Sequence, residues 1–310
     1  MTEPRGGGGR QSLASLAVAA NGAIWGLYWL PLRHLEAEGI AGSWATVSFF
    51  LASVPLVLVL AVIARHDLKA HGRSLFWLSV ANGAVFALYS NAYTLTTVFN
   101  VIFLFYLSPV WSVLIARFRY GERVGRARIA CVAFGLLGLV LMLSEGGGWP
   151  VPRNLGDWMA LASGMLWAVV TIFIRRNEHI GAAANAVSFF IGGIWPALIF
   201  ALATDAARLP SLAVIQATAP LILGVAWIGW IPSQLALFWG VSRISPVRTG
   251  ILLMTELVSG VISAAWLSGD PLSWRQGLGG ALILAAGLGD VLTTRERATP
   301  APVPLTVVPD

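Results

Sequence analysis

Charge is what this chain has least of. Only 11% of its 310 residues are charged, 57% are hydrophobic, and the mean hydropathy is +0.77. A soluble domain of this size carries about 25% charged residues to wet its surface. So few charges exclude a soluble globule; lipid must be part of the solvent. Cysteine is almost absent too, and the single Cys131 excludes any intrachain disulfide or cysteine-ligated metal cluster. The four histidines, His34, His66, His71 and His179, lie in loops or at the edges of apolar runs. None pairs with another at the i,i+4 spacing by which a helix holds a metal. No Walker A loop is present, which argues against an ATP-driven pump. No cofactor or metal is expected.

What the sequence has in abundance is apolar runs of bilayer-spanning length, about 20 residues each. Ten are read, near 13–33, 42–64, 74–96, 99–117, 126–144, 155–176, 183–203, 215–238, 246–267 and 273–293. The third and fourth are parted only by the polar stretch Thr94 to Asn100. The start imitates a secretory signal, but its apolar stretch continues through Trp25 and Trp29 to Leu32, so an uncleaved first helix is expected. The proline-rich tail from Thr299 is expected to be disordered.

The net charge of +6 would suggest nucleic acid in a soluble chain, but here it reports topology. The termini and even-numbered loops hold 16 of the 20 basic residues; the odd loops hold only Arg33, Arg153, Arg208 and Arg275. Basic loops stay cytoplasmic, which predicts a multi-pass protein of the cell inner membrane with both termini inside. No nucleic-acid partner is expected.

The string VSFF occurs at Val47–Phe50 and again at Val187–Phe190, early in the second and seventh runs. Its surroundings match as well. Gly22-Ala23-Ile24-Trp25 resembles Gly164-Met165-Leu166-Trp167, and Pro55 and Pro196 fall in corresponding runs. Ser108-Pro109-Val110 through Gly121-Glu122 parallels Glu256-Leu257-Val258 through Gly269-Asp270 at a spacing of 148. Several weak matches in one order indicate a duplication. The expected fold is all-α: a polytopic membrane protein of ten transmembrane helices in a 5+5 inverted repeat, residues 1–150 and 151–310, around a central cavity. Because five is odd, the second half enters from the opposite side, a construction typical of secondary transporters.

FRYGERVGRARIACVAFGLLGLVL after the fourth run, with its partner TELVSGVISAAWLSGDPLSWRQGLGGALILAAGL, resembles the drug/metabolite transporter superfamily with EamA-type repeats. The likeness covers about Ala14 to Thr294. The hallmark after the fourth run stands at Gly121-Glu122-Arg123, and the second copy departs from it with Gly269-Asp270-Pro271. Tyrosine and tryptophan within the spans look most like the YddG-type aromatic amino-acid exporters. The resemblance implies export from the cytoplasm, ten helices around a central cavity and no prosthetic group.

Small residues recur every fourth position at Gly277, Ala281, Ala285 and Gly289, and at Ala160, Gly164 and Ala168; they are assigned to helix packing. Polar and aromatic residues at helical spacing are assigned to the substrate path. They are Asn21, Trp25 and Tyr28; Asn82, Phe86, Tyr89 and Tyr93; Ser163 and Trp167; and Gln234 and Trp239. Buried amides and phenols in lipid need partners, so these side chains should point inward. The bland alternative is that they only join helices, and Trp29, Trp149 and Trp274 are read as interfacial.

Aromatic walls with amides and hydroxyls suit a zwitterionic amino acid. A phosphorylated solute would call for an inward Arg or Lys, and none stands mid-span. Glu256 is the one charge near mid-span, read either as a proton or substrate-ammonium site or as a structural glutamate, itself protonated or paired with Arg243 or Arg248. Pro55, Pro109, Pro196 and Pro232 interrupt spans and are candidate flexing points or static kinks.

The expected function is therefore export of small metabolites, most plausibly aromatic and other neutral amino acids, by alternating access. The alternative within the superfamily is export of drugs or other metabolites. Monomer and homo-oligomer both stay open. Gly287-Leu288-Gly289-Asp290 matches the GxGD string of intramembrane aspartyl proteases, but no mid-span aspartate exists to partner Asp290. No enzyme is expected. A membrane scaffold without transport is the remaining rival.

Overall fold

A computed structural model describes residues 7–121, 125–144, 151–177, 179–241, 243–244 and 246–294. Glu122 and Arg123 of the loop hallmark, Trp149 and the tail from Thr299 lie outside the described residues. The described residues are almost entirely helical and contain no strand. This is how apolar runs must fold where no water is available to the backbone.

In chain order the helices are α1 (Gly7–Gly26), α2 (Trp29–Ala37), α3 (Gly42–Ile63), α4 (Arg65–Ala70), α5 (Gly72–Leu95), α6 (Val98–Phe105), α7 (Ser108–Tyr120), α8 (Arg126–Leu143), α9 (Leu155–Arg176) and α10 (Ala182–Asp205). A 3₁₀ turn (Ala206–Arg208) leads to α11 (Leu212–Gly224), a π-helical segment (Val225–Trp230) and α12 (Ile231–Val241). Then come α13 (Pro246–Leu253), α14 (Thr255–Leu267) and α15 (Trp274–Thr294). Among the described residues, six stretches are long and apolar enough to cross a membrane: Arg10–Ala37, Gly42–Ile63, Val98–Arg119, Leu155–Ile174, Ala182–Arg208 and Leu212–Val241. Ile129–Leu143 and Ile251–Leu267 are shorter apolar helices.

Side-chain caps set several helix starts. Thr97 Oγ1 accepts Asn100 N–H (3.3 Å), Asn154 Oδ1 accepts Asp157 N–H (2.8 Å) and Ser211 Oγ accepts Val214 N–H (3.4 Å). Each satisfies an amide that a helix N-terminus leaves over. Pro109 is the second residue of α7, where a missing N–H costs nothing; Pro55 and Pro196 lie inside α3 and α10, and Pro232 lies within the continuous helical stretch Leu212–Val241, directly after its π-helical segment. Gly121 (φ +66°) and Gly269 (φ +70°) carry the chain out of α7 and α14 in the left-handed conformation. Only glycine adopts it without a Cβ penalty.

Helix α5 packs against α9 and α10, α3 against α10, α8 against α15, and α6 against α9 and α14. Helix α1 runs along α12, α13 and α14. Glycines permit the closest approaches. A Cβ on Gly138 would lie 2.5 Å from Gly279 O, one on Gly279 would lie 2.6 Å from Gly138 O, and one on Gly26 would lie 2.3 Å from Glu256 O.

The small-residue stripe expected along α15 is displaced. Ala281 and Ala285 face outward and Gly277 has open space around it, whereas Gln276, Gly279, Gly280, Ile283 and Ala286 are buried. The contact is set by Gly138 and Phe103 across the interface, which small residues on α15 alone do not reveal. On α9, Ala160, Gly164 and Ala168 are buried, with Gly164 against the Phe105 backbone.

The odd loops meet at one end of the molecule. Arg33 forms an ion pair with Asp270 (3.2 Å), and Asp270 Oδ2 also accepts Val98 N–H (2.9 Å). Asp157 Oδ1 accepts from Thr96 Oγ1 (2.6 Å) and Asn100 Nδ2 (3.0 Å), while Gln276 Nε2 donates to Asn100 Oδ1 (3.2 Å). All four sparse-side arginines are engaged: Arg33 as above, Arg153 with Leu143 O, Arg208 with Asp205 and Arg275 with Ser144 O. At the opposite end Asp67 Oδ2 accepts Gly181 N–H (3.2 Å), and the His71 and His179 rings lie 4.6 Å apart.

Candidate functional site

Two groups of side chains occupy the middle of the molecule. The first is a knot of rings around Trp230, the last residue of the π-helical segment. Trp230 lies within 4.7–6.2 Å, centroid to centroid, of Trp25, Tyr28, Phe49, Phe50, Phe86, Phe189 and Phe190. Tyr28 stacks on it at 7°. Both copies of the repeated VSFF string deliver their phenylalanines here, from α3 and α10. The rings pack edge-to-face, tilted or stacked on one another, all of them buried except the half-buried Trp25.

A polar margin surrounds the knot. Asn21 Nδ2 donates to Ser233 Oγ (2.6 Å) and Gln234 Oε1 (3.1 Å), and Trp25 Nε1 donates to the same Gln234 oxygen (3.2 Å). Tyr28 Oη lies 3.3 Å from Ser90 Oγ. Asn82, one helical turn before Phe86, is buried, and its Nδ2 has no acceptor among the described residues. The same holds for Trp230 Nε1. A buried donor left unpaired is rare and costs about 1–3 kcal/mol. Trp111 Nε1 and Thr249 Oγ1 are also unpaired, on α7 and α13.

The second group centres on Glu256, at the start of α14 and partly buried. Tyr89 Oη donates to its Oε1 (3.1 Å), Tyr106 Oη lies 3.1 Å from its Oε2, and Tyr93 Oη donates to Tyr89 Oη (2.6 Å). Phe105 lies 4.6 Å from the Tyr89 ring and 6.4 Å from Trp167. The expected arginine partner is not there. Arg243 covers the Trp239 ring (4.5 Å) and donates to Trp239 O (2.8 Å); Arg248 is exposed; and no ion pair of Glu256 occurs among the described residues. A carboxylate enclosed by phenols is neutralised by hydrogen bonds or a proton, not by a salt bridge.

Of the residues singled out from sequence, Asn21, Trp25, Tyr28, Phe86 and Gln234 join the ring knot, and Tyr89, Tyr93 and Trp167 join the Glu256 group. Two stand apart. Ser163 Oγ donates to Ala160 O of its own helix (2.7 Å), and Trp239 lies beneath Arg243, outside the knot. Trp29, read as interfacial, is buried and donates to Ser263 Oγ (3.0 Å); Trp274 is 69% exposed. Tyr106, Trp230 and the Arg33–Asp270 pair were not foreseen. Tyr106 had one signal: it precedes Met254, the neighbour of Glu256 in the duplication, by 148 positions.

The geometry belongs to a recurring architecture. The sequence matches the EamA-like transporter family twice, over residues 12–144 and 154–289. The chain belongs to the EamA-like transporter family. It is 23% identical over 286 residues to an uncharacterized transporter of Archaeoglobus fulgidus, covering 88% of this chain and 94% of that one. It is 24% identical over 185 residues to a probable amino-acid metabolite efflux pump of Salmonella typhimurium, covering 57% of this chain and 62% of the relative. One crystal structure shares the fold, with a TM-score of 0.57 at 18% identity over 93% of this chain and 99% of that one. This EamA-like transporter is thus a multi-pass membrane protein, and its family is one of transporters.

Proposed function

We propose that this EamA-like transporter exports amino acids, aromatic and other neutral ones, across the inner membrane by alternating access, with both termini cytoplasmic. Its two halves, 1–150 and 151–310, would be five-span inverted repeats. Helices α5 and α15, 24 and 21 residues long, add roughly 36 and 32 Å of helix to the six apolar stretches, enough to cross a bilayer.

Three features support the repeat. Two neighbour pairs have counterparts five spans on: α5 with α9 matches α12 with α1, and α1 with α14 matches α9 with α6 and α7. Gly121 and Gly269 share a conformation at a spacing of 148. Spans four and nine are both interrupted, at Tyr106–Leu107 and at Met254, again 148 apart. Interrupted helices in corresponding positions of two halves mark the solute path of secondary transporters.

The observation that carries the substrate class is two buried donors without an acceptor, Trp230 Nε1 in the ring knot and Asn82 Nδ2 one helical turn from Phe86 on α5. Two N–H groups without an acceptor suit a carboxylate. The faces of Trp25 and Tyr28 suit an ammonium or a second ring. Such a site holds a zwitterion without an embedded arginine. The rings must part to admit it, and the hinges available are the π-helical segment below Trp230 and the break at Leu27–Tyr28. The likeness to a probable amino-acid metabolite efflux pump agrees with this reading.

The test is counterflow in sealed liposomes. Vesicles holding unlabelled tryptophan or phenylalanine should accumulate the labelled amino acid from outside, and sugars should not be exchanged. Exchange of neither class would leave a scaffold without transport.

A further inference from the structure

Tyr106 stands where α6 gives way to α7, and its hydroxyl faces two acceptors at equal distance. Leu253 O is 3.1 Å away and Glu256 Oε2 is 3.1 Å away. One phenol proton can serve only one of them. Leu253 is the last residue of α13, so its carbonyl is among those a helix end leaves without an intrahelical donor. The break at Met254 thus places an orphan carbonyl and a carboxylate on either side of one rotating O–H.

This arrangement satisfies two protonation states without moving a heavy atom. With Glu256 ionised, Tyr106 donates to Oε2 and Tyr89 donates to Oε1. With Glu256 protonated at Oε2, the new O–H donates to the Tyr106 oxygen, whose own proton turns to Leu253 O, while Tyr89 still donates to Oε1. A purely structural glutamate needs only one such pattern. Each carboxylate oxygen already accepts from a phenol, so a substrate ammonium would meet only the remaining lone pair of each.

The surroundings carry no competing charge. From α5 the groups facing Glu256 are Tyr89 and, through it, Tyr93; from the α6–α7 junction it is Tyr106. Helix α1 meets the Glu256 backbone with Gly22 and Gly26, and on α13 Arg248 is exposed. No Lys, Arg, His, Asp or other Glu bonds to it among the described residues.

We propose that Glu256 is a reversible proton site and that a proton taken up there from one face and released to the other drives export. The coupling part rests on the alternating-access reading; proton binding at Glu256 does not. Purified wild-type protein is titrated in detergent from acid to alkaline pH while the infrared carboxyl C=O band is followed. A band that vanishes at alkaline pH, is absent in Glu256→Gln and shifts in Tyr106→Phe is the expected result. A band unaffected by Glu256→Gln overturns the proposal whether or not the protein transports anything.

In liposomes, wild-type efflux of labelled tryptophan should rise under an inward proton gradient, and in Glu256→Gln that stimulation should be lost. Stimulation persisting in Glu256→Gln, or weakened binding of tryptophan but not of its deaminated analogue, would assign the carboxylate to the substrate ammonium instead. Absence of wild-type counterflow would overturn the export reading and leave the infrared result standing. Should Glu256→Gln fail to fold, loss of the band shift in Tyr106→Phe overturns the proposal on its own.

Discussion

Arg33 at the end of the first apolar stretch and Asp270 after α14 meet 3.2 Å apart, joining two segments 237 positions apart in sequence. Asp270 also accepts the Val98 amide, and Arg33 reaches Thr96 O (3.5 Å), so one contact ties three loops together. Under the alternating access proposed above this end must open, and a partly exposed pair is strong enough to close it without locking it. In a cysteine-free Cys131→Ser background, Asn91→Cys places a reporter in the cleft at this end, a space of about 280 Å³. Arg33→Ala or Asp270→Asn should raise the rate of maleimide labelling in detergent about fivefold, the effect of losing roughly 1 kcal/mol. An unchanged rate means the pair does not hold the closed end.

The two left-handed glycines give a stability test of the duplication. Gly121→Ala and Gly269→Ala should each destabilise the protein by about 1–2 kcal/mol, because a Cβ is strained at positive φ whatever the space around it. Gly277→Ala is the control: the residue is helical and no atom lies within 4 Å of the added Cβ. It should be neutral or slightly stabilising, since alanine is the better helix former. Thermal unfolding in detergent reads all three. Equal losses at Gly121 and Gly269 fit equivalent positions; a loss at only one would count against equivalence.

Trp230 separates packing from recognition. Truncation to alanine removes the ring that seven others touch and should cost about 3–5 kcal/mol. Trp230→Phe keeps an aromatic ring and deletes the unpaired N–H, so the protein should be little affected, the packing loss being offset by removal of a buried unsatisfied donor. If that N–H receives the substrate carboxylate, tryptophan binding should weaken about tenfold or more, the worth of a hydrogen bond to a charged group. Unaltered binding in Trp230→Phe would remove the carboxylate from this corner of the knot.

Much of this was legible because lipid leaves the backbone few options. An apolar run must become helix, and periodicity along α5 put Phe86, Tyr89 and Tyr93 on a shared side. What hydropathy does not register is where a helix breaks. Span nine breaks at Met254 with no proline to mark it, so the orphan Leu253 carbonyl and the nearby Tyr106 stayed invisible, although Pro109 marks the matching break in span four. Aromatic residues misled in both directions for one reason. A tryptophan is amphipathic, and only tertiary partners decide whether it seeks the interface or, like Trp29 with Ser263, a buried acceptor. An open chamber was inferred from polar faces converging, but convergence alone does not say whether rings line a space or close it.

Trp239 and Trp167 provide the last test, because sequence treated them alike and structure does not. Trp167 sits beside Phe105, which packs on Tyr89, so it borders the Glu256 group. Trp239 lies under the exposed guanidinium of Arg243, 4.5 Å from ring to cation, at the end of α12. Alanine at Trp25, Tyr89 or Trp167 should therefore cut amino-acid counterflow severalfold while expression is retained. Trp239→Ala should leave counterflow near wild type. Loss of transport in Trp239→Ala with Trp167→Ala unaffected would move the solute path from the Glu256 side of the bundle to the α12 end.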